Sequence, residues 1–169
     1  MSSAHTAEVA LDLTWPALEQ HTGAMACRIR EDGVPEVIVG ILRGGMVPAV
    51  MLAHLLGVRD VRGVEVTHTL SDGPNGAKAA VPQITNPASL GAITPGADVL
   101  LVDDVAGSGD TVEHAARLLS GAGRLRRAVL VVNTVNWYAA HADSVAPEHV
   151  QDYIGCLCAG WVRFPWEVR

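Results

Sequence analysis

Residues 99–111 read VLLVDDVAGSGDT, the stretch around which the rest of the chain is organised. Four apolar residues lead into two adjacent carboxylates, Asp103 and Asp104, and a loop of small residues follows. A continuous apolar run predicts a strand buried on both faces, as in a parallel sheet. A small-residue loop that runs into a helix leaves backbone N–H groups free, and the helix dipole favours an anion there. The stretch therefore predicts a phosphate site beside two acids that can hold hydroxyl groups or a metal.

Strand and helix patterns alternate on either side of this stretch. Strands are predicted at residues 37–42, 64–69, 128–132 and 153–157. Such alternation predicts an α/β fold with a central, mostly parallel sheet flanked by helices. Ligands of such sheets lie at the carboxyl ends of the strands. The turn Arg43-Gly44-Gly45, which follows the first of these strands, is therefore predicted to share a pocket with residues 103–111.

The 169 residues are predicted to form a single domain, residues 1–169. Residues 1–13 look loose and are expected to be flexible. Residues 71–95 contain seven glycines and prolines and no sustained apolar period, which predicts a mobile loop with a short strand near residues 81–84. Residues 136–150 are predicted to be irregular.

The composition argues against several classes of protein. A net charge of −6 argues against a nucleic-acid-binding surface. No run of about 18 apolar residues occurs, so no membrane span is expected, and the N-terminus lacks the pattern of a secretory signal. A cytoplasmic protein is therefore expected. Cys27, Cys156 and Cys158 lack metal-ligand spacing and are predicted to be reduced core thiols.

Residues 99–111 resemble the signature of type I phosphoribosyltransferases, which bind phosphoribosyl pyrophosphate (PRPP). Three further segments come in the order that this family shows. GILRGGMVPA, at residues 40–49, resembles the pyrophosphate loop, and residues 71–95 fall where the family has its flexible catalytic loop. WVRFPWE, at residues 161–167, resembles the base-binding tail of the bacterial xanthine-guanine and archaeal hypoxanthine-type enzymes. The resemblance covers residues 15–167 and implies a base-binding hood formed by residues 134–169.

The resemblance implies a reaction in which a ring nitrogen of a base displaces pyrophosphate from PRPP. PRPP and a nucleobase-like acceptor are then the small-molecule substrates, Mg²⁺ is the cofactor, and a homo-oligomer, dimer or tetramer, is expected. Catalysis in such a reaction means positioning the reactants and stabilising the leaving pyrophosphate. The family pattern assigns these catalytic roles to Arg43, Lys78, Asp103 and Asp104, with Asp104 as the residue that contacts the metal.

The same pattern implies the binding residues. Arg43 and the Gly44 N–H would bind pyrophosphate, and the peptide bond before that glycine would be cis. The remaining PRPP contacts are implied for Asp103, Asp104, Ala106, Gly107, Ser108, Gly109, Asp110 and Thr111. Trp161 would stack on the base, the backbone of Val162 would read its edge, and Asn133 would face it. Three of these residues also have plainer explanations: Arg43 as a surface cation, Lys78 as a solvated loop residue and Trp161 as a core aromatic.

Two positions depart from the pattern of the purine-salvage enzymes. Gly107 stands where those enzymes usually have an aspartate that acts as general acid and base, and glycine cannot transfer a proton. Asn133 stands where they usually have a lysine that donates to the 6-oxo group. These departures favour an acceptor that is purine-like in shape, or a base analogue, but not an ordinary 6-oxopurine. They also leave open an alternative, a catalytically weak PRPP-binding sensor.

Overall fold

The structure of the chain is a computed structural model that describes residues 9–69, 78–141 and 145–167. The strands are β1 (Val9–Asp12), β2 (Val37–Leu42), β3 (Asp60–Thr69), β4 (Lys78–Ile84), β5 (Asp98–Ala106), β6 (Arg124–Asn133), β7 (Tyr153–Cys158) and β8 (Trp161–Arg163). The helices are α1 (Trp15–Glu31), α2 (Met46–Leu56), α3 (Asp110–Leu118) and α4 (Thr134–Ala140). Short 3₁₀ helices occupy Pro87–Leu90 and Pro147–His149.

Six strands form the central sheet in the order β4-β3-β2-β5-β6-β7. All neighbours are parallel except β3 and β4, which are antiparallel. The predicted α/β fold with a mostly parallel central sheet is confirmed. Strands β1 and β8 pair in parallel as a separate two-stranded sheet.

Four consecutive apolar residues of β5, residues 99–102, are fully buried, and their side chains pack on both faces of the sheet. Leu100 and Val102 belong to the core cluster that contains α1 and α2. Val99 and Leu101 belong to the cluster that contains α3 and Trp137. Because successive side chains of a strand point to opposite faces, a continuous apolar run is what a strand covered on both sides requires.

The prediction of a flexible N-terminal segment was wrong for residues 9–13, while residues 1–8 lie outside the described part of the chain. Strand β1 pairs with β8 in the C-terminal tail, and the Leu13 N–H donates to the Arg163 carbonyl oxygen at 2.9 Å. Leu13 is only 1% exposed. The segment is ordered because its apolar side chains complete a core that includes the tail, a contact between the two ends of the chain.

The short strand predicted near residues 81–84, within the expected loop of residues 71–95, is confirmed as part of β4, and a 3₁₀ helix follows at Pro87–Leu90, while residues 70–77 lie outside the described part of the chain. Strand β4 is longer than the predicted strand at residues 81–84. It is the edge strand of the sheet, where a proline such as Pro82 is tolerated. The following segment is held to β3, because the Glu65 N–H donates to Asn86 Oδ1 at 2.6 Å.

Two further expectations need correction. Residues 136–140, predicted to be irregular, belong to helix α4, because Asn133 caps the helix and Trp137 is buried beneath it. Cys27 is exposed on α1 and is not a core thiol, whereas Cys158 is buried and Cys156 half-buried. Burial raises the pKa of both Cys156 and Cys158 above the usual thiol value. Among the described residues, no helix is long and apolar enough to cross a membrane.

Candidate active site

The turn after β2 and the acid pair at the end of β5 lie against each other. Strands β2 and β5 are parallel neighbours, so their carboxyl ends meet at one edge of the sheet. A Cβ added to Gly44 would lie 1.7 Å from Asp104 Oδ2, and one added to Gly45 would lie 2.8 Å from the Val102 carbonyl oxygen. Only glycine fits at position 45, where the neighbouring atoms are backbone, and a side chain at position 44 would require the Asp104 carboxylate to move. The cis peptide bond joins Leu42 to Arg43, one position earlier than the resemblance implies.

The two carboxyl groups occupy a site that disfavours their charged forms. Asp103 is 5% exposed. Its Oδ1 accepts from the Asp104 N–H at 3.0 Å, and Asp104 Oδ1 accepts from the Val105 N–H at 2.9 Å. Burial, together with the neighbouring Asp104 charge, holds the pKa of Asp103 well above its usual value. Burial also raises the pKa of Asp104, and the charge of Glu167 adds to that effect. Such a site favours a bound cation or donated hydroxyl groups.

The predicted phosphate loop connects β5 to α3. Gly109 precedes the helix with φ of 84°, in the left-handed region that favours glycine. The first N–H groups of α3 lack partners within the helix, as at every helix N-terminus. The hydroxyl of Ser108 donates to Asp110 Oδ2 at 2.7 Å. In this structure the Ser108 hydroxyl is therefore engaged by Asp110, whose own N–H donates back to Ser108 Oγ at 3.4 Å.

The predicted base-binding tail is held by the N-terminal segment. Trp161 is half-buried and Val162 is buried, and both lie in β8, which pairs with β1. Trp166 stacks on Phe164 with ring centroids 4.6 Å apart, and it also contacts Trp15 at 6.2 Å. The dependence of the tail on β1 and α1 had no signal in the sequence motifs.

Asn133 and Lys78 lie at the ends of strands. Asn133 ends β6 and is buried, and its Nδ2 donates to the Gly160 carbonyl oxygen at 2.8 Å. Its Oδ1 accepts from the Asn136 N–H at 3.3 Å. Lys78 opens β4, where its backbone pairs with Thr69.

Trp137 is a residue at this edge of the sheet that the motifs did not indicate. It is fully buried, and its indole N–H donates to the Val145 carbonyl oxygen at 2.7 Å. A Cβ added to Gly109 would lie 3.0 Å from the Trp137 ring, so the ring packs directly against the phosphate loop. Its position in a segment predicted to be irregular concealed this contact, because an isolated tryptophan there has no periodic pattern to place it.

The described residues suit a metal that is held chiefly by a substrate. Within residues 9–69, 78–141 and 145–167, no group of three or more histidine, cysteine, aspartate or glutamate side chains could hold a metal ion. Asp104 offers one carboxylate, the kind of hard oxygen ligand that Mg²⁺ accepts beside waters and phosphate oxygens. The donor set therefore fits an ion that arrives with a phosphorylated substrate.

Comparisons with known proteins agree on one family. The sequence profile described as "Phosphoribosyl transferase domain" matches residues 13–169. The chain is 25% identical over 166 residues to the xanthine-guanine phosphoribosyltransferase of Ruegeria sp. (strain TM1040), covering 95% of this chain and 87% of that protein. The crystal structure of a purine phosphoribosyltransferase from Pyrococcus horikoshii Ot3 is similar, with a TM-score of 0.74, 30% identity and 94% coverage of both chains. The Helicobacter pylori xanthine-guanine-hypoxanthine phosphoribosyltransferase shares the fold, with a TM-score of 0.69 at 21% identity.

Proposed function

Because the chain belongs to the phosphoribosyl transferase family and is an enzyme of that class, we propose that it transfers the 5-phosphoribosyl group of PRPP to a ring nitrogen of a purine-like base and releases pyrophosphate. The observation that carries the proposal is the contact between Gly44 and the Asp104 carboxylate. It joins a turn suited to pyrophosphate to a carboxyl pair suited to ribose hydroxyls and a metal. The names of the relatives support a purine acceptor.

In the proposed reaction, the protein orients PRPP and stabilises the charge that develops on the leaving group. Arg43 and the Gly44 N–H bind the pyrophosphate, and Lys78 adds a second cation. Asp103 and Asp104 accept hydrogen bonds from the ribose hydroxyls, and Asp104 would also hold Mg²⁺. When bound, that ion would neutralise charge on the pyrophosphate oxygens.

The backbone of residues 106–111 holds the 5′-phosphate in this proposal, with a hydroxyl group from Thr111 and one from Ser108 when Ser108 donates to the phosphate instead of to Asp110. The N–H groups at the start of α3, which have no partner within the helix, support that assignment. Trp161 stacks on the base, and the backbone of Val162 contacts its edge. The half-buried position of Trp161 in β8 leaves part of its ring available for that contact.

Chelation of divalent cations is expected to stop the reaction. Because the described residues hold no multidentate metal site, the ion would depend on PRPP, and EDTA should remove it readily. Steady-state pyrophosphate release with PRPP and a base should fall to background in EDTA and recover with added MgCl₂. The melting temperature of the substrate-free protein should not change. Undiminished turnover in EDTA would contradict the proposed metal dependence.

The acceptor is proposed to be a purine-like base other than guanine, xanthine or hypoxanthine. Gly107 supplies no proton-transfer group, and position 133 supplies no charged donor to a 6-oxo group. The names of the relatives point the other way, since they include xanthine and guanine.

A panel of bases assayed with PRPP and Mg²⁺ tests the acceptor. The kcat/KM for guanine, xanthine and hypoxanthine is expected to fall at least about tenfold below that of the best base without a 6-oxo group, because a hydrogen bond to a charged donor is missing. Efficient turnover of any of the three would contradict this prediction while leaving the transferase proposal intact. PRPP binding without product from any base would instead support the sensor alternative.

A further inference from the structure

Asn133 lies between the two halves of the proposed site. On one side is the phosphate loop, residues 107–109, and on the other is the tail, residues 161–167. Asn133 is only 7% exposed. Its Nδ2 donates toward the tail, and its Oδ1 accepts from the helix that backs the phosphate loop. One amide group thus connects both halves.

The first connection fixes the start of the tail. Gly160, whose carbonyl oxygen accepts from Asn133 at 2.8 Å, directly precedes Trp161. Its φ is 144°, and a Cβ at this position would lie 2.9 Å from Ala10 Cβ in β1. The turn into β8 is therefore confined, and the hydrogen bond from Asn133 sets the orientation of the peptide that leads into Trp161.

The second connection fixes the support of the phosphate loop. Asn133 caps α4 by accepting from the Asn136 N–H at 3.3 Å. A helix of seven residues depends on such a cap, because most of its backbone groups lie at its ends. Helix α4 carries Trp137, whose ring packs against Gly109. The cap therefore affects the position of the phosphate loop through the Trp137 side chain, which lies between α4 and Gly109.

We propose that Asn133 is a positioning residue that sets the phosphate loop and the base-binding tail relative to each other, instead of reading the base. One lone pair of its Oδ1 and one amide hydrogen are engaged within the chain, so only one N–H and one lone pair are left for a ligand, on a residue that is 7% exposed. This inference rests on the proposed function, since it assumes that PRPP and a base occupy the two halves. It assigns to Asn133 a role that the family motif does not contain.

Asn133→Asp separates the two connections. Aspartate preserves the helix cap, but it cannot donate to Gly160 and places a second oxygen beside that carbonyl. We expect the KM for the base to rise about tenfold, by the same factor for every base that is turned over, with the KM for PRPP within about twofold of wild type. Asn136→Asp is the matched control, because it introduces the same charge at an exposed position in the first turn of α4 and should leave both constants unchanged.

Two further variants test the phosphate side. Asn133→Ala removes both hydrogen bonds and should raise the KM for PRPP as well as the KM for the base. Trp137→Phe loses part of the ring and the indole N–H bond to Val145, and it should raise the KM for PRPP about fivefold with little effect on the KM for the base. If Asn133 reads the base directly, Asn133→Asp should change the order of preference among bases, and that result would overturn the proposal.

Hydrogen–deuterium exchange provides a readout that does not require activity. Peptides covering residues 160–163 should exchange faster in Asn133→Asp, and peptides covering residues 107–109 should also exchange faster in Asn133→Ala. If the wild-type enzyme turned over no base, the proposed function would fail, yet these exchange rates would still decide the positioning role. Unchanged exchange in both segments of Asn133→Ala would overturn it.

Discussion

Replacing Gly44 with alanine is expected to lower kcat/KM about a hundredfold or more, because the new methyl group would occupy the space of the Asp104 carboxylate. The added Cβ would lie 1.7 Å from Asp104 Oδ2 and 2.5 Å from its Cγ. Asp104 must therefore move away from the turn that is proposed to bind pyrophosphate. A displacement of about 1 Å in a catalytic group can cost about a hundredfold in rate. Steady-state pyrophosphate release measures the loss.

A double-mutant cycle shows whether the effect passes through Asp104. Asp104→Ala alone should abolish most activity, and adding Gly44→Ala should cost little more, since the obstructing carboxylate is already gone. Gly121→Ala is the matched control, because nothing lies within 4 Å of its added Cβ. Losses that multiply in the double variant would show that Gly44→Ala acts on another part of the site.

Replacing Arg126 with alanine is expected to destabilise the protein by about 3 kcal/mol, because the partly buried Asp98 carboxylate keeps only the more distant Arg124 and two further hydrogen bonds are lost. The Arg126 side chain is 3% exposed and forms a two-pronged ion pair with Asp98 at 2.8 Å. It also donates to the Gly33 carbonyl oxygen at 2.9 Å and to the Tyr153 hydroxyl at 3.1 Å. Thermal unfolding should show a loss of about 10 °C in melting temperature.

Two controls identify the cause of that loss. Replacing Arg124 with alanine should lower the stability by less than about 1 kcal/mol, because its side chain is half exposed and lies 3.6 Å from the Asp98 carboxylate. The pair replacement Arg126→Leu with Asp98→Leu should recover part of the stability, since neither charge is then left alone. Arg126 and Asp98 lie near the amino ends of β6 and β5, away from the proposed active site. The kcat of the folded Arg126→Ala enzyme should therefore equal that of the wild type. If Arg126→Ala melted at the same temperature as the wild type, the hydrogen bonds and ion pair of Arg126 would contribute nothing to stability.

Local patterns identified most of the sheet. The apolar run before Asp103 predicted the central strand, because a strand covered on both faces needs apolar side chains in both directions. Strand β2 has the predicted bounds, residues 37–42, and Gly57 ends α2 in the left-handed conformation. These features follow from the backbone and side-chain preferences of a few neighbouring residues.

The misassigned segments are those whose structure depends on distant partners. Residues 9–13 become ordered through the tail, and β4 forms as an edge strand on β3. Helix α4 depends on the Asn133 cap and on the burial of Trp137. The partners of residues 9–13 lie at the other end of the chain and that of β4 in another strand, whereas the cap of α4 is local and the local window lacks only the burial of Trp137 against Gly109.

The sequence by itself determined the fold class, the alternation of strands and helices along the chain and the motifs that predict PRPP chemistry, because those depend on short runs of residue types. Only the tertiary structure decided that the Asp104 carboxylate lies over Gly44 and that Trp137 backs Gly109. It also decided that Asn133 donates to the carbonyl oxygen of Gly160, 27 positions away. Such contacts join residues that are tens of positions apart, and their distances are set by how the strands and helices pack, which no local pattern of residue types records.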